Sequence, residues 1–79
     1  MKRYDYNFEL GDQLKALRKE TGMTQEQVAE RLDVQPRTIL DWERGIQCRR
    51  VRDFHRLLDI YGVSDAARID LVQIAYGRR

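Results

Sequence analysis

Leu10, Leu14 and Leu17 recur at i, i+4 and i+7, with Lys15, Arg18 and Lys19 on the other side. That spacing predicts an amphipathic first helix from Phe8 to Thr21, closed by Gly22 just past its end. Thr24 and Gln27 form a capping box, in which hydroxyl and carboxamide satisfy N–H groups left free at a helix start, so a second helix runs from Gln25 to Leu32. It turns Val28, Ala29 and Leu32 inward. Pro36 suits a first helical position, where its missing N–H has no intrahelical partner, and starts a third helix from Pro36 to Arg44 that stops at Gly45. Phe54, Leu57, Leu58 and Tyr61 repeat the i, i+3, i+4, i+7 pattern over a fourth helix from about Val51 to Tyr61, ended by Gly62. Ser64 caps a fifth helix with two apolar stripes: Ala67, Leu71, Ile74 and Ala75 on one side, and Ile69, Val72 and Tyr76 roughly opposite. The first stripe is expected to face the core, and the second to be spare.

The second and third helices are separated only by Asp33, Val34 and Gln35, too short a link for an antiparallel hairpin, which forces a sharp crossing. Ala29 lets the third helix approach closely, and Val34, Ile39 and Trp42 pack beneath it. Arg37, Thr38, Leu40, Asp41 and Arg44 are then presented on the opposite face. The expected fold is all-α, five helices with a helix-turn-helix at the second and third.

At 79 residues, 42% apolar and 35% charged, the chain has the composition of a single soluble globular domain with a small core. A core of that size leaves room for a stabilising partner, so a homodimer is expected, joined through the spare stripe Ile69, Val72 and Tyr76. Residues 8–76 are taken as the domain. Residues 1–7 are expected as an N-terminal arm, with Lys2, Arg3, Tyr4 and Tyr6 at a frayed terminus rather than on DNA, and residues 77–79 as a tail. No apolar run approaches the length of a membrane span and no secretory signal precedes the first helix, which places the protein in the cytoplasm.

The net charge of +2 says little, but its distribution says more. Lys and Arg number six against seven acids in residues 1–34, six against three in residues 35–56, and three against three in residues 57–79. The basic residues of the middle segment are all arginine: Arg37, Arg44, Arg49, Arg50, Arg52 and Arg56. Arginine's planar fork suits phosphate oxygens and guanine edges.

The string TQEQVAERLDVQPRTILDWERG, Thr24 to Gly45, resembles the helix-turn-helix of lambda-repressor-like (XRE family) regulators. Its Thr-Gln opening, the Ile39 position and the Trp-Glu-Arg-Gly ending carry the likeness. Leu14, Leu17 and Arg18 before it, and Leu57, Leu58, Tyr61, Gly62 and Val63 after it, extend the likeness over about residues 8–76. The LLDIYGV segment is most similar to actinobacterial members, in which a ligand-sensing domain often follows. The resemblance implies a five-helix lambda-repressor-like bundle and a transcriptional regulator binding double-stranded DNA. It implies that Gln25 touches a phosphate, that Arg37, Thr38, Leu40 and Asp41 face the major groove, and that Arg44 and Gln47 approach the backbone. It also implies an internal Arg18–Glu43 pair.

Three departures from that pattern refine the expectation. Asp33 stands where glycine is usual, at a turn position needing positive φ, which Asp tolerates. Gln35 replaces a Ser/Thr cap and Pro36 replaces a polar base reader, so readout leans on Arg37, whose fork matches the O6 and N7 of guanine. Arg49 and Arg50 stand where relatives begin the fourth helix with a Pro-Ser-Pro-like segment, weakening that cap while adding two phosphate-contacting cations.

His55 and Cys48 fall short of the three or four ligands a metal site uses, and the single cysteine calls for no disulfide. Asp41 and Glu43 point apart on one helix, so no acid/base pair forms. Neither enzyme activity, cofactor nor metal is expected. The leading expectation is sequence-specific binding of a two-fold operator by a homodimer, with the third helix in the major groove. The rival is an antitoxin-like or scaffold module whose fifth helix makes the main contact with a protein partner.

Overall fold

The computed structural model describes residues 7–48 and 50–77. Among these it contains α1 (Phe8–Thr21), α2 (Gln25–Leu32), α3 (Pro36–Glu43), α4 (Val51–Ile60) and α5 (Asp65–Tyr76), and no strand. Helices α1, α2 and α5 start where a side chain accepts from a free N–H group of the first turn. In α2 the Thr24 hydroxyl accepts from Gln27 N at 3.1 Å, while Gln27 Oε1 accepts from Thr24 N at 2.8 Å, completing the capping box. Ser64 Oγ accepts from Ala67 N at 3.2 Å to start α5, and Pro36 is the first residue of α3. Gln35 and Arg50 cap with no side-chain hydrogen bond, in line with the weakened caps expected there.

The turn between α2 and α3 depends on Asp33, which has φ 61° and is the one non-glycine residue at positive φ among the described residues. Its left-handed conformation reverses the chain while Val34 N donates to Ala29 O at 3.0 Å, closing the end of α2.

Helices α1 to α4, joined by Leu71 of α5, bury one continuous core, in which Val28, Leu32, Ile39, Phe54, Leu57 and Leu58 are the largest fully enclosed side chains. Trp42 is buried in the same cluster as Val28, Ala29 and Ile39, with Leu17 packed against it. The approach of α1 to the end of α3 rests on Gly11. A Cβ there would lie 2.6 Å from Glu43 O and 2.8 Å from Gly45 N, distances no side chain survives.

Several boundaries and faces differ from the sequence reading. Asn7, read as part of the arm, is the N-cap of α1: its Oδ1 accepts from Leu10 N at 3.0 Å. Helix α3 ends at Glu43 rather than Arg44, because Arg44 N is drawn to both Leu40 O and Asp41 O as the last turn tightens. Helix α4 ends at Ile60 rather than Tyr61.

The larger correction concerns α5. Its two stripes do not divide into a core face and a spare face. Ala67, expected inward, is exposed, whereas Val72 and Tyr76 pack against the core together with Ile74 and Ala75. The reason is geometric: the C-terminal turns of α5 lie between α1 and the α3–α4 connection, so neighbours cover them on more than one side. Of the supposed spare stripe only Ile69, at 62% exposure, is fully exposed, while Val72 and Tyr76 are half-buried.

Candidate nucleic-acid interface

The α2–α3 crossing leaves the first turns of α3 at the surface. Arg37 stands exposed there, its side chain 73% open to solvent, and its Nε donates to Asp41 Oδ1 at 3.3 Å one turn later. Such an i, i+4 pair in water adds little stability, but it restricts the directions a long side chain samples. Thr38, Leu40 and Asp41 are half-buried, so three of the four expected base-facing residues lie lower on the helix than Arg37. Thr38 also lines a cleft of about 390 Å³ between the start of α3 and the start of α4, with Gln35, Trp42, Arg50 and Asp53 among its walls.

Two further cations flank this surface. Arg44 is exposed at the C-cap of α3, and Arg50 is exposed at the N-cap of α4. Arg50 Nη1 lies 3.6 Å from Asp53 Oδ2, and Arg56 Nη1 lies 3.7 Å from Asp53 Oδ1. Sequence reasoning missed Asp53, a buried carboxylate in the first turn of a helix without a side-chain cap, where it complements the free N–H groups. Its position after a weak cap was the available signal. Arg49, the other expected phosphate contact, lies outside the described residues, as do Lys2, Arg3, Tyr4 and Tyr6.

Beneath the surface sits a buried polar cluster. Arg18 grips Glu43 with two nitrogens, Nε to Oε2 at 2.6 Å and Nη2 to Oε1 at 3.1 Å, and its Nη1 donates to Met23 O at 3.0 Å. Glu43 also accepts from Gln25 Nε2 at 3.0 Å. The expected internal pair is present, and the hydrogen bond to Glu43 raises the Arg18 pKa further above its ordinary value. Gln25, expected at a phosphate, is thus tethered to the pair, with its carboxamide oxygen not used by it.

Gln47 is not held out from the α3–α4 connection. Its Nε2 donates to Ala75 O at 3.1 Å, so the side chain ties that connection to α5. The residues that suggested a metal serve separate neighbours: Cys48 Sγ donates to Arg50 O, and His55 Nδ1 faces Arg68 Nη1.

A helix-turn-helix domain family matches residues 9–71, which runs from α1 through most of α5. The chain belongs to that family. No match is found among curated proteins or among solved structures. The matched span takes in α2, α3 and α4 whole, nearly all of α1 and the first turns of α5, and a helix-turn-helix domain is a DNA-binding architecture. No helix among the described residues is long and apolar enough to cross a membrane.

Proposed function

We propose that this helix-turn-helix protein is a sequence-specific, double-stranded-DNA-binding transcriptional regulator of the lambda-repressor-like (XRE) kind. The observation that carries the reading is Arg37, extended from the first turn of α3 and steered by Asp41. A guanidinium fork held over the start of a groove-entering helix suits the O6 and N7 acceptors of guanine. Thr38, Leu40 and Asp41 supply shorter contacts to neighbouring bases. Arg44, Arg50 and Arg49 contact phosphates, and Gln25 Nε2, with one N–H given to Glu43, donates its second N–H to another.

The active species is a homodimer on a two-fold operator, with one α3 in each of two successive major grooves. Ile69 is the apolar residue of α5 that the monomer leaves uncovered, and with the exposed edge of Val72 it supplies the contact between copies. Tyr76 has no part in that contact, since its ring meets Phe54 edge to face and its hydroxyl is given to Cys48 O.

Selection of binding sites from random duplex DNA tests the reading. Enrichment of a palindromic site with guanine at a symmetric pair of positions is expected, and a pool left unenriched would sink it. Sedimentation of the selected complex tests the dimer: one protein copy per site would overturn it, and Ile69→Glu should weaken binding while leaving the monomer folded.

A further inference from the structure

The last turn of α5 is fastened to the N-cap of α1 and to the α3–α4 connection by three side-chain hydrogen bonds. Tyr76 Oη donates to Cys48 O at 2.6 Å, Gln47 Nε2 donates to Ala75 O at 3.1 Å, and Asn7 Nδ2 donates to Ile74 O at 3.3 Å. The last two satisfy carbonyls that a helix end otherwise leaves free. The first runs the other way, from α5 into the connection between α3 and α4. Tyr76 is held for this task by its ring, which meets Phe54 of α4 edge to face with centroids 5.5 Å apart.

The connection so gripped is short and carries charge at both ends. Arg44 closes α3, Arg50 opens α4, and Cys48 between them accepts from Tyr76 and donates its own Sγ–H to Arg50 O at 3.3 Å. Cys48 is buried with the core, but packing is incomplete along the rest of the seam. An open cleft of about 470 Å³ runs along the seam, with Leu10, Leu14, Trp42, Phe54 and Tyr76 among its walls. With space left beside the ring, the directional contacts fix the register of α5 against the connection.

We infer that Tyr76 is a positioning residue for DNA binding: its hydroxyl, donated to the Cys48 carbonyl, holds the α3–α4 connection in the shape that sets Arg44 and Arg50 toward the phosphate backbone. The inference rests on the DNA-binding reading above and adds to it a residue that touches no DNA. It also makes the end of α5 a lever, because whatever displaces Tyr76 from Cys48 releases the cations at the two ends of the connection.

Tyr76→Phe removes the donor and keeps the ring on Phe54, so the variant should fold. Its affinity for the selected duplex should fall by about three- to ten-fold, the scale of one lost hydrogen bond. The slope of log K against log salt should flatten by about one unit as a phosphate contact is lost, and the base preference should be unchanged. A smaller folded fraction lowers apparent affinity but cannot change that slope, which separates positioning from mere stabilisation. Amide exchange should quicken at Ile46, whose N–H donates to Asp41 O, with Leu57 in the core unaffected. A variant with wild-type affinity, a variant weakened at unchanged slope, or one with wild-type exchange at Ile46 overturns the inference. Wild-type protein that binds no duplex overturns the DNA-binding reading itself, and this inference with it.

Discussion

Arg18 and Glu43, one on α1 and the other the last residue of α3, meet in a two-point ion pair with side chains 11% and 4% exposed. A pair so deeply placed returns little net stability, because each charge was drawn from water, but breaking it strands the survivor. Glu43→Ala should therefore cost about 3–5 kcal/mol in denaturant unfolding, more than any exposed ion pair of this chain. Replacing Arg18 as well should recover part of that loss. Strictly additive effects of the two changes would show that the residues act independently.

Gly11 should tolerate no side chain. An alanine Cβ would meet the backbone of Glu43 and Gly45, neither of which is the free end of a flexible group. Gly11→Ala should push α1 away from α3 and lower the stability by about 1–3 kcal/mol, the scale of an overpacked core. An unchanged Tm would contradict the close approach.

Tyr61 has a buried hydroxyl with no hydrogen-bond partner among the described residues, and burial is the main cause raising its pKa above the ordinary 10.0. Tyr76 is raised in the same direction, also by burial. For an acid raised in the folded state, the folded protein holds protons that the unfolded chain releases, so stability is level below the unfolded pKa and falls as pH rises beyond it. Chemical denaturation should be unaffected by tyrosine ionisation up to about pH 9 and should weaken progressively above pH 10. Tyr61→Phe should be neutral or stabilising at pH 7 and should lessen the alkaline loss. Strong destabilisation by this substitution would reveal a bound partner for the hydroxyl.

Arg37→Ala should cost about 1–3 kcal/mol on the best duplex and relax the preference at one symmetric pair of positions. Repeating the site selection with the variant decides the point. A weaker but otherwise identical profile would reduce Arg37 to a phosphate contact. Asp41→Asn should blunt the same positions while affecting affinity less, because its carboxylate steers Arg37 and repels phosphate.

Arg50→Ala should flatten the salt slope by about one unit with base preference intact. The same change frees Asp53 from one of its two neighbouring cations. A shifted preference at constant slope would mean that Arg50 reads bases instead.

The elements of this protein were determined by local sequence. The Thr24–Gln27 box, Pro36, Ser64 and the glycines after α1 and α4 each act within one helical turn, so the helices start and stop within a residue of where the pattern places them. The sharp α2–α3 link follows likewise from its three residues, whereas the positive φ at Asp33 came from family likeness, and of the face expected outward on α3 only Arg37 and Arg44 are fully exposed. The Arg18–Glu43 pair came from family likeness, since nothing in the spacing of residues so far apart in sequence relates them.

Tertiary structure decided what lies between elements. Gly11 reads as an ordinary helical glycine until α3 comes within van der Waals reach of it. Gln47 and Tyr76 carry the same lesson. One looked like a phosphate contact and the other like part of an uncovered stripe, yet each turns toward the other's element and completes a hydrogen bond there. Periodicity shows that α5 has apolar residues on two sides, but only the neighbours around its final turns determine which of them are covered. A side chain's partner depends on where distant backbone arrives, and no local propensity encodes that arrival.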